Sequence, residues 1–122
     1  MPIIPPFLLK KLYVKGSLRA EDDGFAFGLE NPIASGTILS FKALDLDGEG
    51  VSLEQVTVVT EEGRVRPATS ITNEDPLSFP VGDTFTVRAS ESPLESGFHE
   101  LTIRVVVQDV GPLSIPVADQ VG

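Results

Sequence analysis

Residues 97 to 109 read Gly97-Phe98-His99-Glu100-Leu101-Thr102-Ile103-Arg104-Val105-Val106-Val107-Gln108-Asp109 and alternate with period two. Leu101, Ile103, Val105 and Val107 fall on one side, with Thr102, Arg104 and Gln108 on the other. A helix would scatter those four apolar residues around its circumference, whereas a strand lines them along one face. The run therefore predicts a strand with a core on one side and water on the other.

The rest of the chain repeats that grammar. Strands are expected near 10–16, 24–30, 37–46, 56–60, 84–90, 98–109 and 113–117, with a short one at Arg64-Val65-Arg66. In the first, Leu12 and Val14 should point inward and Lys11, Tyr13 and Lys15 outward. Phe25, Phe27 and Leu29 line one face of the second, and Phe85, Val87 and Ala89 one face of a later strand. Asp22-Asp23-Gly24 and Asp47-Gly48 are hairpin turns, since Asp-Gly supplies φ > 0. A phase shift near Lys42-Ala43 predicts a β-bulge. Residues 68–80, punctuated by Asn73-Glu74-Asp75-Pro76, are the least regular stretch. Pro116 cannot donate to a ladder, so the last strand, Leu113 to Val117, belongs at a sheet edge.

About eight short strands, one roughly every ten residues, predict an all-β, antiparallel β-sandwich. Leu94-x-x-Gly97-x-His99 leading into Leu101-x-Ile103-x-Val105 resembles the penultimate corner and strand of immunoglobulin-like domains. The 122 residues suffice for a single domain over 1–122 with its own core. Cys is absent, so neither a disulfide framework nor a thiolate metal site is expected. The N-terminal apolar stretch is broken by Pro2, Pro5 and Pro6 and lacks the marks of a signal peptide. No run approaches the roughly 18 apolar residues of a membrane span. A cytoplasmic chain is the expectation.

A net charge of −9 disfavours nucleic-acid and anionic-membrane partners, which need a basic surface. Hydrophobic residues make up 41% of the chain, so part of its apolar surface is expected to meet a protein partner. Leu8, Leu9, Leu113, Ile115 and Val117, from the two terminal segments, are the expected contact residues.

Motifs with chemistry are few. Asp45-Leu46-Asp47-Gly48-Glu49-Gly50 copies the first half of an EF-hand calcium loop. The bidentate Glu required at position 12 is Val56, position 8 is Ser52, and no metal site is expected. His99 is the only histidine. It occupies the slot, two after the corner Gly97, where immunoglobulin-like domains often place an aromatic residue that anchors the loop by a hydrogen bond. A structural role is expected. Acidic groups at Glu21-Asp22-Asp23, Glu61-Glu62 and Glu74-Asp75 lie beside turn residues and are expected as solvated charge. Trp is missing and Tyr13 is the only Tyr, so a sugar-stacking platform is not supported. No catalytic residue and no cofactor are expected.

Gly24-Phe25-x-Phe27-x-Leu29, the segment ending Leu46-Asp47-Gly48-Glu49 with Val51, Val81-Gly82-Asp83-x-Phe85-Thr86-Val87, and Leu94-x-x-Gly97-x-His99-x-Leu101 occur in that order. Together, over about residues 12 to 110, they resemble the small β subunits of bacterial C-glycoside deglycosidases. The resemblance implies a β-sandwich assembled with a larger barrel-type subunit that carries the metal and most of the chemistry. This chain lacks that family's aromatic residues between Pro67 and Pro80, where only Phe79 stands. The expected function is a non-catalytic subunit or interaction module of a cytoplasmic oligomer, accessory to a carbohydrate-processing enzyme. Its partner would be itself or a larger subunit. The alternative is a small-ligand or sugar-binding β-sandwich using residues 68–80.

Overall fold

Two antiparallel sheets carry the chain, and the computed structural model describes residues 6–121. The positions of Pro2 and Pro5 lie outside them. A four-residue helix, α1 (Pro6–Leu9), and a 3-10 turn (Lys10–Leu12) come first. Ten strands follow: β1 (Arg19–Glu21), β2 (Gly24–Glu30), β3 (Gly36–Leu46), β4 (Glu49–Gly50), β5 (Val56–Val59), β6 (Val65–Pro67), β7 (Leu77–Phe79), β8 (Thr84–Ala89), β9 (Gly97–Val107) and β10 (Gly111–Val121). One sheet has the order β1-β2-β8-β5-β6 and the other β10-β9-β3-β4, with β7 pairing the start of β3. This is the all-β sandwich expected from the periodicity.

The two inner faces share one core. Leu44, Ile103 and Ile115 stand side by side on β3, β9 and β10, and all three are buried. Opposite them lie Phe25, Phe27, Val56, Val58, Phe85 and Val87 of the other sheet. Phe79 stacks on Phe85 with ring centroids 4.2 Å apart. The inward residues of β3 are Ile38, Phe41 and Leu44, spaced three apart rather than two. Two register shifts, at Ile38/Ser40 and at Phe41/Ala43, reconcile that spacing with the pleat. The second is the bulge expected near Lys42-Ala43.

Three local expectations change. Residues 10–16 are not a strand: Lys10–Leu12 form the 3-10 turn, and only Tyr13 makes an isolated bridge, to Leu29. Tyr13 is buried rather than outward, while Leu12 and Val14 are only half-buried. Its ring packs against Phe27 at 6.1 Å, a gain that a solvent-facing position would forfeit. At the β1–β2 hairpin the positive φ belongs to Asp22 (42°) and not to Gly24. Gly24 is needed for space, because a Cβ there would sit 1.8 Å from the Ala89 carbonyl oxygen. The β3–β4 hairpin does have φ > 0 at both Asp47 and Gly48, as a type I′ turn requires.

The stretch 68–80 contains a 3-10 turn (Ala68–Ser70), a Thr72–Asp75 bridge and β7, with Ala68, Ile71, Leu77 and Phe79 turned into the core. Asn31, a buried polar residue just after β2, has its side chain fully satisfied. Its Nδ2 donates to the Ala34 and Phe79 carbonyls at 2.8 Å, and its Oδ1 accepts from the Ile33 amide at 3.1 Å.

Candidate functional site

The Asp-rich hairpin and the only histidine meet. Asp47, at the tip of β3–β4, accepts a hydrogen bond from His99 Nδ1 on its Oδ2 at 2.6 Å. Its Oδ1 accepts from the Glu100 amide at 2.9 Å. The other ring nitrogen of His99, Nε2, donates to the Glu95 carbonyl at 2.8 Å. A carboxylate and a carbonyl can only accept, so the ring makes both bonds together when both of its nitrogens carry hydrogen, as an imidazolium. The bond to Asp47, then the one to Glu95, raise the His99 pKa above the ordinary histidine value. The amide of Glu100 and the His99 ring together hold Asp47 below the usual carboxylate range. A ring so occupied has no lone pair to act as a base or to ligate a metal.

Asp45 is engaged as well, by Arg104 at 3.1 Å across the β3–β9 ladder. Among the described residues no group of three His, Asp or Glu side chains converges as a metal site. The EF-hand-like run is spent on a hairpin turn and two cross-strand ion pairs.

A second node ties the two sheets together at one edge. The Tyr13 hydroxyl donates to Asp119 Oδ2, and the Gly16 amide donates to the same oxygen at 2.8 Å. The Gln120 amide reaches Oδ1, also at 2.8 Å. Tyr13 bridges β2 of the first sheet, while Asp119 belongs to β10 of the second. Burial, then the Asp119 carboxylate, push the Tyr13 pKa up to about 12. Burial opposes the charge on Asp119, but the Tyr13 hydroxyl and the Gln120 and Gly16 amides outweigh it and keep that pKa low.

Beside this node lies an open groove of about 480 Å³, lined by Lys10, Tyr13, Lys15, Glu100, Pro116 and Ala118 among others. Neither lysine makes an ion pair among the described residues. Sequence reasoning passed over this place. The signal was available: Lys10, Lys11 and Lys15 are three of the four lysines in the chain. Asp119 carried no comparable mark, because its partner lies 106 positions away.

The five apolar residues of the terminal segments come together within the chain. The turn after α1, and α1 itself, pack on β10. Leu9 and Ile115 are buried, Leu113 and Val117 pack partly buried against the core, and Leu8 is half-buried. The side chains of β10 that face outward are Pro112, Ser114, Pro116, Ala118 and Gln120. The 68–80 segment is drawn into the core by its apolar residues and pinned by Arg66, which donates to the Ser70 and Asp75 carbonyls at 3.0 and 2.9 Å.

No curated protein sequence matches the chain. The family model that matches is that of the hydroxymethylglutaryl-CoA reductase N-terminal domain, over residues 8–122. This overturns the resemblance to C-glycoside deglycosidase subunits. The residues that carried that resemblance prove to be core positions (Phe25, Phe27, Leu29, Phe85, Leu101) and close-packed or turn glycines (Gly24, Gly82, Gly97), which many β-sandwiches need for the same physical reasons. With a match that spans nearly its whole length, the chain belongs to the family of hydroxymethylglutaryl-CoA reductase N-terminal domains.

Proposed function

We propose that the chain is a non-catalytic interaction module that docks on a larger polypeptide carrying a hydroxymethylglutaryl-CoA reductase catalytic region. Family membership carries this reading, because the family is described as one domain of that enzyme. The geometry of the polar residues is in keeping with it. His99 is saturated on both ring nitrogens, and Asp45 and Asp47 are committed to Arg104 and His99. These groups brace the fold and leave none of the three poised for proton transfer. No helix among the described residues is long and apolar enough to cross a membrane.

The test is co-sedimentation of the purified chain with the reductase catalytic region from the same genome, at micromolar concentration. A stoichiometric complex is expected, with an interface of at least about 1,000 Å². The isolated chain is expected not to turn over hydroxymethylglutaryl-CoA. Turnover by the chain alone, or failure of any complex to form, would overturn the reading.

A further inference from the structure

We propose that the groove beside the Tyr13–Asp119 node receives an extended acidic segment of a protein partner. The proposal rests on the interaction-module reading and names the chemistry of the surface it would use.

Charge supplies the first argument. The chain carries −9 overall, so most of its surface repels an acidic peptide. Lysines 10, 11 and 15 reverse that locally, and Lys10 and Lys15 line the groove without an anionic partner among the described residues. Tyr13, held by Asp119, also lines the groove and is already anchored before a ligand arrives.

The shape of the groove supplies the second. Its remaining lining includes Pro116 and Ala118, two small outward side chains of β10. Pro116 has no N–H to give β9, so its pairing with Thr102 is a non-hydrogen-bonded one, and its carbonyl faces away from β9. The polar backbone groups of Ala118 and Gln120, beyond the prolines, face the same way, and Ala118 keeps both donor and acceptor. An extended backbone can bond to such an edge, whereas a helix has no free groups to offer it. Glu100 also lines the groove, so the acidic side chains of the segment should sit by the lysines and away from it.

Fluorescence anisotropy with a labelled peptide of about ten residues, Glu alternating with Val and Ala, tests the proposal on the intact chain. Saturable, salt-sensitive binding is expected, and a peptide with Lys in place of Glu should not bind. Reversing two exposed charges together, Lys10→Glu with Lys15→Glu, should weaken binding by at least about tenfold. Glu100→Gln should tighten it, and Lys42→Glu, an exposed change on β3 outside the groove lining, should leave it alone. A melting temperature unchanged in the double variant confirms that the fold is intact. The proposal is overturned if the peptide does not saturate, if Lys42→Glu weakens binding as much as the double reversal, or if citrate competes as well as the peptide. Repeating the co-sedimentation with the double variant separates the two readings. A reductase complex that survives the reversal sinks the groove alone, and a bound peptide with no reductase complex sinks the module reading alone.

Discussion

Asp47 and His99, 52 residues apart in sequence, are joined by a 2.6 Å hydrogen bond that fastens the β3–β4 hairpin to the start of β9. The opposite side of the same ring holds the Glu95 carbonyl in the corner before that strand. One imidazolium thus fixes two turns, and its charge state should govern both.

The first prediction is a pH dependence with a defined sign. His99 has a raised pKa in the folded chain, so the native state binds the extra proton more tightly than the unfolded one. Its contribution is complete below the unfolded value of about 6.5 and is lost as pH rises through the folded value. Asp47 is depressed, so its contribution is complete above about 3.9 and is lost as pH falls through its folded value. The pair should therefore brace the fold best between about pH 4 and 6.5. A proton NMR titration reads the only imidazole without overlap, and its midpoint should lie above 6.5 and fall back in Asp47→Asn. An unshifted midpoint would refute the geometry.

Tyr13 should behave as the second clasp. Removing its hydroxyl in Tyr13→Phe leaves Asp119 with two amide donors in a partly buried site, and should cost about 1.5–3 kcal/mol by urea denaturation near neutrality. The folded pKa of about 12 lies above the ordinary value of 10, so this stabilisation should be complete below pH 10 and decline between 10 and 12. Tyr13→Phe should abolish that alkaline decline. A variant as stable as the parent would show the bond to be idle.

Core burial gives a third. Ile103 is fully buried between Leu44 and Ile115, and Ile103→Ala should destabilise by about 2–5 kcal/mol. Phe98, five positions earlier on the same strand, is 63% exposed, and Phe98→Ala should change stability by no more than about 0.5 kcal/mol. Equal effects from the two would contradict the facing of β9.

That facing was legible in the sequence, and the contrast with other elements shows why. β8 and β9 each set one face on the core and the other nearer solvent, so period-two alternation records their burial directly. β2 is buried at six consecutive positions, and its alternation of large and small residues has a further cause. Gly28 lies under Val14, where an added Cβ would come within 3.2 Å of the Val14 side chain. The three-residue strands β1 and β7 are too short to establish any period, and they went unread. Residues 10–16 misled because Leu12 and Val14 alternate by chance, while the decisive contact of Tyr13 is with Asp119 at the far end of the chain. The hairpin aspartates were visible as turn residues, but their partners His99 and Arg104 come from a distant strand that sequence spacing does not bring near.

Calcium should not bind tightly at the hairpin. Asp45 and Asp47 already face Arg104 and His99, and Glu49 leaves a cation one free carboxylate where such loops supply several. Calorimetry should show nothing tighter than roughly millimolar. A micromolar isotherm abolished by Asp47→Asn would overturn this.

The last prediction concerns the long edge strand. β10 runs for eleven residues at the end of its sheet, and an edge of that length is a template for pairing with another chain. Pro112 and Pro116 both fall on the register positions whose backbone groups face outward, and each removes a donor that a second strand would need. Their spacing of four leaves Ser114 as the outward donor between them, which limits pairing along that half of the edge. Replacing both, in Pro112→Thr with Pro116→Thr, should restore a continuous row of donors and promote self-association. Sedimentation velocity and light scattering at matched concentration should detect larger species in the double variant than in the parent. If the two distributions coincide, the prolines are not what protects this edge.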